Sequence, residues 1–106
     1  MKINIGEIVC IPFPYTDLTS QKTRPSLVIY SSGEGEDLII LAITSKTGGS
    51  RILIQNKNLA KGELPVDSYI RYNKVATLKK TLIKIRVATI NETTLHAVLT
   101  HFKQQF

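Results

Sequence analysis

The chain holds few side chains of the kinds that do chemistry, and their neighbours in sequence narrow what each can do. Arg24 stands just before Pro25 and the apolar run Ser26-Leu27-Val28-Ile29-Tyr30. Its planar guanidinium stays charged and can grip two phosphate oxygens at once. An exposed ion pair, for instance with Asp17, would use the same group for little gain. Thr44 closes another apolar run and leads into the turn residues Lys46-Thr47-Gly48-Gly49-Ser50. Its hydroxyl either packs as an ordinary strand threonine or faces a ligand from a fixed backbone. On residue type alone both alternatives stay open for both residues. His96 and His101 invite a two-imidazole acid–base reading, but five residues apart on a helix they point in different directions and belong mostly on its outside. Cys10 has no second cysteine to bridge to and reads as a small buried apolar residue. No Cys/His set has metal-ligand spacing, so neither a metal nor another cofactor is expected.

Charge adds a possible partner class. The net charge of +6 is not spread evenly. Residues 1–70 hold seven basic and seven acidic side chains, whereas 71–106 hold seven basic and one acidic. Arg71, Lys74, Lys79, Lys80, Lys84 and Arg86 follow one another with no acid between them. That is the footprint expected for a polyanion or an acidic protein, and equally of a solvated lysine-rich face.

These residues need elements to position them. A length of 106 residues with 42% hydrophobic side chains suits one domain over 1–106. With no Trp the core falls to Ile, Leu and Val, which leans toward β structure. Ile5 to Phe13 is apolar on both alternating sets, as for a strand covered on two faces, and ends at Pro12 and Pro14. Tyr15 to Arg24 reads as a ten-residue polar loop. Ser26 to Tyr30 and Asp37 to Ile43 form a hairpin around Gly33 and Gly35, and Arg51 to Gln55 is a short strand. Asn56 to Leu64 is expected to be a polar connection, with strands at Tyr69 to Leu78 and Leu82 to Ala88 on either side of Lys79-Lys80-Thr81. From Leu95 the apolar residues 95, 98, 99, 102 and 106 share a helical face, with Asn91 as N-cap and Glu92 in the first turn. Five or six short strands and one helix predict a small, strongly curved antiparallel sheet or barrel, the helix covering its open side. The N-terminus has neither a signal-peptide nor a spanning pattern, so a cytoplasmic protein with no membrane association is expected.

Two segments carry a more specific message. Gly6-Glu7-Ile8-Val9-Cys10-Ile11-Pro12-Phe13-Pro14-Tyr15-Thr16-Asp17-Leu18, followed by Thr23-Arg24-Pro25-Ser26-Leu27-Val28-Ile29, resembles the N-terminal signature of the PemK/MazF toxins. There a Gly-acid-Ile-Val strand leads through a polar loop to Arg-Pro-x-x-Val-Ile, and a later strand ends in a small hydroxyl residue, matched by Ala42-Ile43-Thr44-Ser45. Leu64-Pro65-Val66-Asp67-Ser68-Tyr69-Ile70 and Asn73-Lys74-Val75-Ala76-Thr77-Leu78 look like later strands of the family, so the resemblance spans essentially the whole chain. The loop differs, reading Asp17-Leu18-Thr19-Ser20-Gln21-Lys22 where the best-known members have Gly-Ser-Glu-Gln-Gly.

The resemblance implies an SH3-like barrel, a homodimer, an acidic antitoxin over its groove, and operator DNA bound only through the antitoxin complex. It also implies metal-independent cutting of single-stranded RNA by 2′-hydroxyl attack. In that chemistry Arg24 would stabilise the phosphoryl charge and Thr44 would orient the 2′-hydroxyl or a phosphate oxygen. Tyr15, Lys22, Ser45, Lys46, Lys74, Lys79 and Lys80 are the RNA-contact candidates, lysines along phosphates and Tyr15 or Tyr72 against an unpaired base. Glu7 and Asp17 are the carboxylates positioned to be considered as general base. Two other functions compete: a non-catalytic nucleic-acid-binding or regulatory barrel, and a gyrase poison of the CcdB kind. The hallmark of the latter is a Trp near the C-terminus, which this chain lacks.

Overall fold

The computed structural model describes residues 2–11, 23–33 and 35–106. Within them the chain forms β1 (Glu7–Ile11), β2 (Arg24–Ser31), β3 (Asp37–Thr44), β4 (Arg51–Ile54), β5 (Leu59–Gly62), β6 (Ser68–Lys79), β7 (Ile85–Ile90) and a C-terminal helix, α1 (Glu92–Lys103). All strand pairs are antiparallel, in the order β4-β6-β3-β2-β1-β7-β5. The sheet curls without closing, and β4 and β5 remain its edges.

Central β1 is buried on both sides, as its continuous apolar pattern predicts. Ile8 packs with Leu27, Leu41, Ile54, Ile70 and Val98 on the concave face. Val9 and Ile11 pack with Ile3, Val28, Leu38, Ile40 and Ala42 on the opposite face. Burying side chains of this size contributes roughly 1.5–3 kcal/mol each. Irregularities in register bend the sheet. The sharpest lies in β6, where Val75 pairs with Leu41 but Arg71 pairs with Ala42, leaving Tyr72 to Lys74 outside the ladder.

The helix begins as expected. The Asn91 side chain accepts a hydrogen bond from the Thr94 N–H at 2.9 Å, a cap worth about 1 kcal/mol. The Asn91 N–H donates to the Asn58 carbonyl beside edge strand β5, and at the other end Gln105 Nε2 donates to the Tyr72 carbonyl in β6, next to edge strand β4. Leu95, Val98 and Phe102 pack into the concave core. The helix thus spans the gap between the two ends of the sheet.

Three expectations are corrected. Asn56 to Leu64 is not a plain connection: it holds a 3-10 turn, Asn56–Asn58, and the whole of β5. An edge strand held by backbone bonds to β7, with only Leu59 half-buried, leaves no hydropathy signal. The last strand runs Ile85–Ile90 rather than Leu82 to Ala88, because a second 3-10 turn occupies Lys80–Leu82. Phe106 is 89% exposed rather than in the core, since the helix ends at Lys103 before the apolar spacing reaches it.

Candidate active site

The β2–β3 ladder runs outward to the pair Ser26↔Ala42. Two residues further out along each strand come Arg24, which opens β2, and Thr44, which closes β3. Both line a single cleft of about 430 Å³, together with Ser45 and Lys46. Its walls are apolar: Pro25, Ile43, Leu64, Pro65, Val66 and Val87. Ser68 also lines it and donates its hydroxyl to the Val66 carbonyl at 3.0 Å, which fixes that wall. A charged fork and a hydroxyl against a partly apolar floor suit a phosphodiester flanked by sugar and base.

The Thr44 hydroxyl is held by its own turn. Its Oγ1 accepts the Lys46 N–H at 3.2 Å, so its own proton remains free to be donated into the cleft. The turn is pinned in its place by Arg51, whose Nη1 donates to the carbonyls of Lys46 at 2.7 Å and Thr47 at 2.6 Å. Gly48 allows this close approach, because a Cβ there would lie 2.7 Å from that nitrogen.

No carboxylate or imidazole lines the cleft among the described residues. Glu7 is elsewhere and already engaged: Oε1 accepts Arg86 Nε at 2.8 Å and Nη2 at 2.7 Å, and Oε2 accepts the Asn4 N–H at 2.6 Å. It faces a separate recess with Lys61 and Arg86, at the opposite end of β1 from Ile11, the partner of Arg24. Glu7 is therefore a structural ion pair rather than a base for this cleft. Asp17, the other carboxylate considered, lies outside the described residues. Cys10 was expected to be core but is half-buried and lines the cleft. Burial pushes its thiol above the ordinary value of 9.0, so it stays protonated and contributes no charge.

The remaining candidates divide. Ser45 and Lys46 are exposed at the cleft. Tyr15 and Lys22 lie outside the described residues. Lys74 is half-buried in the bend of β6 and is not among the cleft-lining residues. Lys79 pairs with Asp37, at the far end of β3 from Thr44, roughly 20 Å along the strand, and its ammonium meets Glu36 at 3.7 Å. Lys80 is buried with its Nζ donating to the Gly33 carbonyl at 2.9 Å, so its ammonium is not offered to a phosphate. The basic run of the sequence is thus not one surface. Tyr72 packs beside His101, ring centroids 5.2 Å apart, rather than standing open as a base platform. The apolar walls were missed because nothing distinguishes Leu64, Pro65 or Val87 from core residues in one dimension. The only signal was that Leu64-Pro65-Val66 follows the polar stretch and precedes a strand.

A family model for the PemK-like, MazF-like toxin of type II toxin-antitoxin systems matches residues 4–106. The chain belongs to the PemK/MazF toxin family. No curated protein matches it. Among solved structures, a PemK/MazF fold of this kind is similar to an endoribonuclease in complex with its cognate antitoxin from a mycobacterial species. That match has TM-score 0.71 and 13% identity, covering 94% of this chain and 88% of that one. A mycobacterial endoribonuclease matches with TM-score 0.70 and 14% identity over 94% and 86%. The Mycobacterium tuberculosis toxin MazF-mt6 matches with TM-score 0.72 and 13% identity over 92% and 93%. At this identity the likeness is one of fold. For this PemK/MazF toxin it agrees with the mainly antiparallel sheet and C-terminal helix described above.

Proposed function

We propose that this toxin is an endoribonuclease that cuts single-stranded RNA without a metal, with Arg24 and Thr44 at the reacting phosphate. The observation that carries the reading is that these two side chains, on different strands, line the same cleft. In the reaction the 2′-oxygen bonds to phosphorus as its proton leaves, the bond to the 5′-oxygen breaks, and that oxygen takes up a proton. A 2′,3′-cyclic phosphate and a 5′-hydroxyl result. Negative charge grows on the non-bridging oxygens, and the Arg24 fork is suited to hold it more tightly in the transition state than before. The Thr44 hydroxyl, anchored through Lys46, orients the 2′-hydroxyl or a phosphate oxygen. Ser45 and Lys46 extend the contact along the backbone.

The partners follow from the same reading: a second copy of the chain, and an acidic antitoxin, a partner supported by the similar mycobacterial endoribonuclease, which is in complex with its cognate antitoxin. Operator DNA is reached only through that complex. No helix among the described residues is long and apolar enough to cross a membrane. An RNA substrate supports a cytoplasmic location. The experiment is cleavage of a long RNA, with chelator present, by the wild type and Arg24→Ala. Cutting by the wild type alone is the expected result. Equal cutting by both removes Arg24 from the mechanism, and binding without cutting by either leaves a nucleic-acid-binding module.

A further inference from the structure

A second row of side chains runs across the sheet beside the Arg24 and Thr44 row. In β4 and β6, Arg51 pairs directly with Arg71, Arg71 pairs on its other side with Ala42, and Ala42 pairs with Ser26. Cross-strand partners project from the same face, so these four residues form one line about 14 Å long at the usual strand spacing. The line sits two residues, about 7 Å, inward of Tyr69 and Thr44, which pair with each other.

This row has two unusual properties. Two arginines occupy directly opposed positions of the ladder, and no carboxylate among the described residues pairs with either of them. In addition, four buried side-chain polar atoms among the described residues have no hydrogen-bond partner, and three of them lie in this row: Ser26 Oγ, Arg51 Nε and Arg71 Nε. Ser26 and Ala42 are fully buried, so what the row offers to solvent is its two half-buried arginines, whose positive charge has no carboxylate partner among the described residues and suits an acceptor-rich anion. Arg51 also ties the row to the cleft, because its other nitrogen holds the carbonyl of Lys46.

We infer that the half-buried pair Arg51 and Arg71 forms a second phosphate subsite that holds the RNA backbone one nucleotide from the scissile phosphate. This rests on the nuclease reading. An RNA strand carries a phosphate at every nucleotide, so a strand with one phosphate at Arg24 must bring another close by, whatever its sequence. Carboxylates on an antitoxin peptide need not fall at that distance, which is why RNA is the better occupant.

The test measures binding of a single-stranded RNA with a 2′-deoxy residue at the mapped cut position, across a salt series, to the wild type, Arg71→Leu and Arg71→Lys. Arg71→Leu is expected to bind about tenfold more weakly at low salt, and its log–log salt slope should be shallower by about 0.7, the value for one lost phosphate contact on a single strand. Arg71→Lys should keep the slope and lose part of the affinity, since it retains charge without the fork. Replacing phosphates one at a time by neutral methylphosphonate should reveal one position beside the scissile phosphate that weakens the wild type and leaves Arg71→Leu unaffected. A variant that fails to fold is replaced by Arg71→Gln in the same measurements. Unchanged affinity and slope in a protein that still cuts RNA overturn the subsite and leave the nuclease reading in place. Loss of affinity for the antitoxin with unchanged RNA binding assigns the pair to a protein partner and overturns it equally. Failure of the wild type to bind RNA at all overturns the nuclease reading first.

Discussion

Arg24 and Thr44 each stand two residues beyond the same ladder pair, Ser26↔Ala42, on adjacent antiparallel strands. Because the ladder is antiparallel, the start of one strand meets the end of the next, and both residues open into one cleft. The register of this single hairpin brings together two functional groups separated by a whole turn of sequence.

Arg24 is exposed at the strand start, so Arg24→Ala should keep the fold and cost no more than about 1 kcal/mol, the scale of an exposed polar interaction. Its kcat on RNA should fall by about 10²–10³, the usual loss for one preorganised donor to a developing anion. Arg24→Lys should recover RNA binding better than turnover, because an ammonium supplies charge without the bidentate fork. Single-turnover cleavage beside equilibrium binding separates the two effects. Turnover of Arg24→Lys equal to the wild type would show that charge alone suffices.

Thr44→Ser preserves the oxygen that accepts the Lys46 N–H, whereas Thr44→Val removes both that acceptor and the proton offered to the cleft. Serine should retain most activity and valine should lose at least about tenfold in kcat. If valine is as active as serine, the hydroxyl takes no part.

Glu7 is buried and paired with the exposed Arg86, so Glu7→Gln removes the charge from these hydrogen bonds and should cost about 1–3 kcal/mol in denaturant unfolding. Cleavage per folded molecule should not change, because Glu7 faces a different recess from the cleft. A large kcat loss in folded Glu7→Gln would return it to the list of candidate bases.

The Cys10 thiol is raised above its ordinary value of 9.0 by burial. An acid with a raised folded pKa gives stability that is complete below the unfolded value and declines as pH climbs through the folded one. Below pH 8 the thiol should therefore react slowly with iodoacetamide and contribute no pH dependence to cleavage. Its alkylation rate should still be rising above pH 9, and Cys10→Ala should cut RNA at the wild-type rate. A thiol that alkylates rapidly at pH 7 would contradict the assigned direction.

Gly62 closes β5 against β7 with φ of +79°, and a Cβ there would stand 2.5 Å from the Val87 carbonyl oxygen and 2.8 Å from Ala88 Cα. Both neighbours are backbone and cannot rotate away. Gly62→Ala should destabilise by about 2–4 kcal/mol, seen as a lower melting temperature. An unchanged melting temperature would mean that β5 can detach from the sheet edge at no cost.

Much of this protein is local information. The apolar runs of β1, β2 and β3, the Asn91 cap and the helical spacing from Leu95 to Phe102 are set by near neighbours, so they can be read along the chain. The family signature around Gly6, Arg24 and Thr44 is equally linear. Strand β5 was not legible, because backbone pairing to β7 holds it and leaves almost no apolar pattern.

Which charges act together was also decided only in three dimensions. Lys79 and Lys80 adjoin Arg71 in a single basic run, yet one pairs with Glu36, the other is buried on the Gly33 carbonyl, and Arg71 sits beside Arg51 near the opposite end of β6. A strand carries its residues about 3.3 Å apart and turns alternate ones to opposite faces, so neighbours in sequence separate while cross-strand partners meet. Sequence determined which residues have the chemistry to hold a phosphate; the register of the sheet decided which of them line one cleft.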